Sequence, residues 1–284
     1  MLKQRVITAI VLLLILLPAL FHPDTLYWRL VTLALIAAAG WEWGRLNGLC
    51  PLASWLAGFL TLVACVMAWD LGLLTARQPL LWTLAGGFWV LAGVALLRAG
   101  VSSWARLPLG LRLPGGLFAL WLTWLAVVQA RDIGIAFLLS ILVLVWMADV
   151  AAYFAGKALG GRFSSRKLAP AISPGKSWEG VWGGMVGVVV LALAWLALER
   201  GGLLPPPSLY GHLLARGGWL LLLVAVLFLA AMSVVGDLVE SLVKRSAGMK
   251  DSSRLLPGHG GVLDRVDALL PTLPLAMMLY SLSA

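Results

Sequence analysis

The chain reads Gly236-Asp-Leu-Val-Glu-Ser-Leu-Val-Lys-Arg245, then Ser246-Ala-Gly-Met-Lys-Asp-Ser-Ser-Arg-Leu255, then Leu256-Pro-Gly-His-Gly-Gly-Val-Leu-Asp-Arg-Val-Asp267. About a third of all the charged side chains fall in this one stretch, although only 12% of the 284 residues are charged. The remainder is greasy. Hydrophobic residues make up 62% of the chain, and the mean hydropathy is +0.98. A soluble core needs nothing like that. A charge-rich loop set among long apolar runs predicts an all-α, polytopic membrane protein with its polar chemistry gathered at a membrane edge.

The first half of the stretch reads as the end of a helix. Asp237, Ser241 and Lys244 are spaced i, i+4, i+7 and share one face, while Val234, Leu238 and Leu242 share another. The second half breaks. Pro257-Gly258 and Gly260-Gly261 bracket His259, which is turn chemistry. A helix can restart near Leu263, placing Asp264 and Asp267 one turn apart. Carboxylates with Lys and Arg around them suit Mg²⁺ and a polyphosphate. Each residue taken singly has a plainer reading. Glu240 and Lys244 can form an i, i+4 pair, and basic residues after an apolar helix can be topology signals. The constellation as a whole favours a site.

Ser241-x-x-Lys244-Arg245, Lys250-Asp251 and Leu256-Pro257-x-His259-Gly260-Gly261-Val262-x-Asp264-Arg265-Val266-Asp267 resemble the signature of the phosphatidate cytidylyltransferase (CDP-diacylglycerol synthase) family. The match covers about a tenth of the chain and departs from that signature nowhere. The resemblance implies an integral enzyme of the bacterial inner membrane with its active site facing the cytoplasm. It would use CTP and phosphatidate, with Mg²⁺ and with or without a second cation. It also implies a homodimer.

Outside the signature, apolar runs of span length fall at about 6–21, 27–44, 52–69, 79–98, 114–131, 133–156, 180–198, 218–243 and 265–282. That predicts about nine transmembrane helices in a single membrane-embedded unit, 1–284. Residues 1–131 would supply N-terminal spans, and 132–284 the catalytic spans and loops. The first run follows Lys3 and Arg5, lacks a good cleavage site, and reads as a retained span. With the N-terminus inside, inner segments hold 16 Lys and Arg and outer segments 5. Ten of the 16 lie in the two candidate site loops, and without them the count is 6 to 5. A net charge of +9 would suggest nucleic acid in a soluble protein. Between apolar spans it points to anionic headgroups and no nucleic acid. Cys50 and Cys65 imply no disulfide framework. Trp28, Trp41, Trp43 and Trp178 flank apolar runs and read as interfacial anchors. Glu42, between two of them, reads as an acid at the membrane–water interface.

The second informative stretch runs from Trp146 to Gly184. Asp149 lies inside an apolar run, and an acid there is a functional candidate. Then come Arg166-Lys167 and Ser173-Pro174-Gly175-Lys176-Ser177-Trp178-Glu179-Gly180. Gly175-Lys176-Ser177 is not a P-loop, because position 170 is Pro where that pattern needs Gly. The segment is similar to a second segment of the same family, in which the position of Ser177 is often Thr. There the residues after the acid are often Ser or Thr then Gly, whereas here they are Val150 and Ala151.

In the implied reaction a lipid phosphate oxygen, already anionic, is the nucleophile. No catalytic triad is needed, and the work is positioning and electrostatics. Asp237 and Asp264 are expected to hold the metal. Lys244, Arg245 and Lys176 are expected on the triphosphate, with Ser173, Ser177 and Ser241 beside them. Lys250, Arg254 and Arg265 are expected on the phosphatidate headgroup. His259, Gly260 and Gly261 would give a close backbone approach to phosphate. Asp251 belongs to the signature, and Asp267 is either a further ligand or a partner of Arg265. A CTP-dependent enzyme acting on another lipid phosphate shares nearly all these features. A transporter shares only the intramembrane acids.

Overall fold

All nine apolar runs become helix, because a chain in lipid can satisfy its backbone only internally. The computed structural model describes residues 2–164 and 167–282. Its helices are α1 Leu2–Phe21, α2 Leu26–Leu46, α3 Pro51–Asp70, α4 Pro79–Ala99, the short α5 Val101–Arg106, α6 Leu109–Ile133, α7 Ile135–Leu159, α8 Trp178–Arg200, α9 Leu209–Ser246, α10 Leu263–Val266 and α11 Leu269–Leu282. Among the described residues seven are long and apolar enough to cross a membrane: α1, α3, α4, α6, α7, α8 and α9. The other two runs are helical but differ. Helix α2 carries Arg29, Glu42 and Arg45, and α11 has 14 residues. One departure from an all-α fold is a small antiparallel hairpin, β1 Lys167–Ala169 and β2 Ser173–Ser177. Arg166 lies outside the described residues.

Helix α9 bends at Gly217–Gly218, where Gly218 adopts φ +64°, a region that favours glycine. The apolar run beginning at 218 in the sequence starts at that bend. Helix α11 packs against α9, α4 and α6, so spans from the two halves of the chain share one core.

The tightest helix pair is α7 with α8, through small residues. Gly183 and Gly187 of α8 sit against Ala155 and Ala151 of α7 with no room for a side chain. A Cβ at Gly184 would lie 2.8 Å from the Ala148 carbonyl oxygen. In lipid there is little hydrophobic drive between helices, so close backbone approach supplies the association. Gly236 does the same for α9, where a Cβ would meet the Asp267 carbonyl and the ring of Pro271. That contact brings Asp237 beside Asp267.

Trp28 and Trp43 are not interfacial anchors. They are 4% and 8% exposed, and their indole N–H groups donate to the carbonyls of Val127 and Leu113. A buried indole is tolerated once its donor is met. Trp178, 42% exposed, does stand at the surface.

The contacts sort by end of the bundle. Arg131 donates to the carbonyls of Leu20 and His22, and Arg29 pairs with Asp132, at one end. Thr8 donates to the Pro257 carbonyl, and Lys176 pairs with Asp237, at the other. The hairpin and the 247–262 loop therefore share one end.

Replacing Gly184 with Val is expected to force α8 off α7 and cost about 1–3 kcal/mol. Gly87, which faces open space, gives the control Gly87→Ala. Thermal unfolding in detergent should fall for the first and hold for the second.

Candidate active site

A cleft of about 440 Å³ opens between α7, the hairpin, α8 and α9. Asp149 and Tyr153 line it from α7, Lys176 and Ser177 from the end of β2, and Asp237 from α9. The small-residue packing of α7 on α8 is what lets Asp149 and Lys176 face one space. The Lys176 ammonium pairs with Asp237, and Ser241 Oγ donates to the same carboxylate at 3.2 Å. The i, i+4 face of α9 is thus real for Asp237 and Ser241. Asp267 adds a further acid. It lies close enough to Asp237 and Asp149 for their negative charges to interact.

Lys244 pairs with Glu240, as the i, i+4 spacing predicts, and with Asp264 besides. It is 12% exposed and is held between Glu240 and Asp264, at 2.7 Å from Asp264 Oδ1. The other oxygen of Asp264 accepts 2.8 Å hydrogen bonds from the Ser252 amide, the Ser252 hydroxyl and the Gly261 amide. Burial pushes the Asp264 pKa up, but Lys244 and these donors outweigh it and hold the group below the usual carboxylate range. Asp264 therefore knots the signature loop.

Glu42 ties a second knot, which the sequence reading missed. It is fully buried, so it is no interfacial acid. Its carboxylate accepts from Ser253 Oγ at 2.5 Å, the Val262 amide at 3.0 Å and the Leu263 amide at 2.7 Å. These are the first amides of α10, where a negative charge is stabilised. Its signal in the sequence was an acid flanked by two tryptophans in an apolar helix. Nothing local named its partners, which lie more than 200 residues away.

The double glycine serves these knots. Gly260 has φ +82°, and a Cβ there would lie 2.6 Å from Asp264 Oδ2. A Cβ at Gly261 would collide with Ser252 and Glu42. The Gly261 amide is bound to Asp264, and its missing side chain makes room for the protein's own carboxylates. Gly260 turns the chain so that its carbonyl accepts from Leu256 N.

Ser177 caps α8, its Oγ accepting from Gly180 N at 3.1 Å. Glu179, 5% exposed, accepts from the amides of Phe163 and Ser164 and secures the approach to the hairpin. Arg245 donates to the Ile172 carbonyl at the hairpin turn, and Ser173 is half-buried in β2. Lys250, Asp251, Arg254 and Arg265 are exposed along the loop. His259 is half-buried, and its Nδ1 has no hydrogen-bond partner among the described residues. The structure so divides the expected site. Asp149, Lys176, Ser177, Asp237, Ser241 and Asp267 gather at the cleft, Lys244, Asp264 and Gly261 sit inside the loop, and the remaining basic residues form a rim.

Glu42→Ala leaves two buried amides unmet, at about 1–3 kcal/mol each. Amide hydrogen exchange at Val262 and Leu263 should accelerate sharply, while exchange in α3 is unchanged. Glu42→Gln, which retains one acceptor oxygen, should fall between the two.

The model of the cytidylyltransferase family matches residues 3–283. A phosphatidate cytidylyltransferase from Pseudomonas aeruginosa is 39% identical over 281 residues, covering 96% of this chain and 95% of that protein. One from Haemophilus influenzae is 37% identical over 303 residues, covering 99% of each. One from Bacillus subtilis is 41% identical over 149 residues, about half of each chain. With its fold, its cleft and these full-length likenesses, the chain belongs to the cytidylyltransferase family.

Proposed function

We propose that this protein transfers CMP from CTP to phosphatidate, giving CDP-diacylglycerol and pyrophosphate. The observation that carries the reading is the cleft, which sets Lys176 against Asp237 beside the signature loop in a membrane-spanning bundle. Full-length relatives of that name support it. A phosphatidate phosphate oxygen attacks the α-phosphorus of CTP. The bond from that phosphorus to the bridging oxygen breaks, and its electron pair leaves with pyrophosphate. No proton need be removed from the nucleophile, so the residues supply charge and position. Lys176 and Arg245, at the hairpin side, meet the triphosphate. Lys250, Arg254 and Arg265, exposed on the loop, meet the lipid phosphate.

The donor set fits Mg²⁺. Among the described residues no three His, Cys, Asp or Glu side chains form a ready-made cage. Mg²⁺ does not require one, since it uses one or two carboxylates with phosphates and water. Asp237 and Asp264 would hold it. Each now has a lysine ammonium as counter-charge, Lys176 for one and Lys244 for the other. When bound, the cation would neutralise phosphate charge. Asp149 and Asp267 add negative charge beside Asp237.

The arrangement we favour has nine crossings, with α2 and the α10–α11 unit completing the bundle and both site loops in the cytoplasm. The excess of Lys and Arg on that side supports it. A cysteine placed in the hairpin, with Cys50 and Cys65 removed, should resist an impermeant thiol reagent until cells are permeabilised. Labelling from outside reverses the orientation.

Purified protein given labelled CTP, phosphatidate and Mg²⁺ should form a CDP-lipid. Asp237→Asn and Asp264→Asn should each lower kcat by a hundredfold or more, as expected when about 3 kcal/mol or more of charge stabilisation is lost. Glu240→Gln should cost far less. CDP-lipid formed only from another lipid phosphate would reassign the substrate. Near-normal Asp237→Asn activity at low Mg²⁺ would remove the metal assignment.

A further inference from the structure

A second space, distinct from the cleft, lies against the signature loop. It is an apolar crevice of about 300 Å³, walled by α1, α2, α6, α7, α11 and the loop itself. It is long and narrow. Its lining on α2 runs from Trp28 to Ile36, about 12 Å at 1.5 Å per residue. One end lies at Leu256 and Arg265 of the signature stretch, and the other at Trp28 and Val127, toward the end of the bundle where Arg29 meets Asp132. Among the described residues Arg265 is the only charged one in its lining. The lining hydroxyls of Thr32 and Thr123 are already bound to backbone carbonyls of their own helices. Those two hydroxyls are thus not left to compete for a guest, and the indole N–H of Trp124 is the lining donor without a hydrogen-bond partner among the described residues.

Arg265 lies between the crevice and the charge of Asp149. It lines the mouth of the crevice and is close enough to Asp149, in the cleft, for their charges to interact. The wall toward the membrane is thin. Helix α1 contributes Leu12 and Leu16, which are half-buried, while Leu13, Leu14, Ile15 and Leu17 beside them are 44–68% exposed. Its inner end is fastened to the loop, with Thr8 donating to the Pro257 carbonyl at 2.8 Å and Arg5 lying over Gly258. A guest arriving sideways from lipid thus meets one lightly seated helix, and finds a cation at the polar end.

We infer that this crevice receives one acyl chain of the phosphatidate substrate, with Arg265 at its mouth holding the lipid phosphate at the edge of the cleft. The inference rests on the proposed reaction and adds to it a determinant of chain length. An apolar crevice with a cation at one end matches an anionic headgroup with a hydrocarbon tail. Its volume lies at the bottom of the range for ligand cavities, so it has room for one chain while the second stays in the bilayer.

The test compares dioctanoyl with dioleoyl phosphatidate, at matched surface concentration and saturating CTP, in purified wild type and three variants. Val127→Phe fills the end away from Arg265, Leu142→Phe fills the middle, and Leu35→Ala enlarges the space. The ratio of kcat/KM for the long lipid to that for the short one should fall at least tenfold in the fillers. It should rise in Leu35→Ala, and the KM for CTP should stay within twofold throughout. Ratios within twofold of wild type in all three variants overturn the acyl site. If both fillers lose both lipids equally through misfolding, Leu35→Ala decides alone, and an unmoved ratio there has the same force. A wild-type protein that makes no CDP-lipid from either substrate overturns the reaction itself, a result distinct from unchanged ratios.

Discussion

Two buried carboxylates hold the signature loop in shape, and the rest of the site depends on them. A loop folded against a membrane bundle cannot leave its amides to water or to a neighbouring strand. Glu42 takes the amides of Val262 and Leu263, and Asp264 takes those of Ser252 and Gly261. Each carboxylate also accepts a serine hydroxyl. The loop is thereby fixed to α2 at one knot and to Lys244 of α9 at the other. A charge buried alone would be prohibitive, but these have several donors each.

The second constraint is close packing of small residues. Glycines of α8 against alanines of α7 bring the hairpin to the α9 face, and Gly236 brings Asp237 to the α10–α11 junction. The acids that gather there repel one another. Lys176 and Lys244 offset that repulsion, one lysine to each side of the α9 terminus. The same distribution of charge suits a polyanion that arrives with its own cation. Stability and ligand chemistry therefore draw on the same groups, and Glu240, buried against Lys244, belongs to the first more than the second.

Two unlike spaces open near the signature stretch. The cleft carries charged side chains, and the crevice is walled by hydrocarbon. Arg265 lines the crevice, and its charge reaches Asp149 in the cleft. An enzyme joining a water-soluble nucleotide to a lipid must present one reacting phosphate from each phase at one point. A rigid loop with a polar and an apolar flank is a compact way to do so.

The sequence by itself determined the class of fold, because long apolar runs have one stable form in lipid and their breaks carry their own turn chemistry. It also determined the chemical character of the site, since carboxylates, lysines and glycines at fixed spacing along a few turns are local facts. Asp237 and Ser241 share a face because helical geometry requires it. Tertiary structure alone decided the pairings. Lys244 met Asp264 in addition to its helix neighbour Glu240, Trp28 and Trp43 went inside, and Glu42 reached a loop some 200 residues away. Each outcome depends on which buried donor meets which buried acceptor once the helices pack, and periodicity carries no record of that. The hairpin, the glycine seams and the crevice beside Arg265 likewise exist only between elements, so only the folded chain displays them.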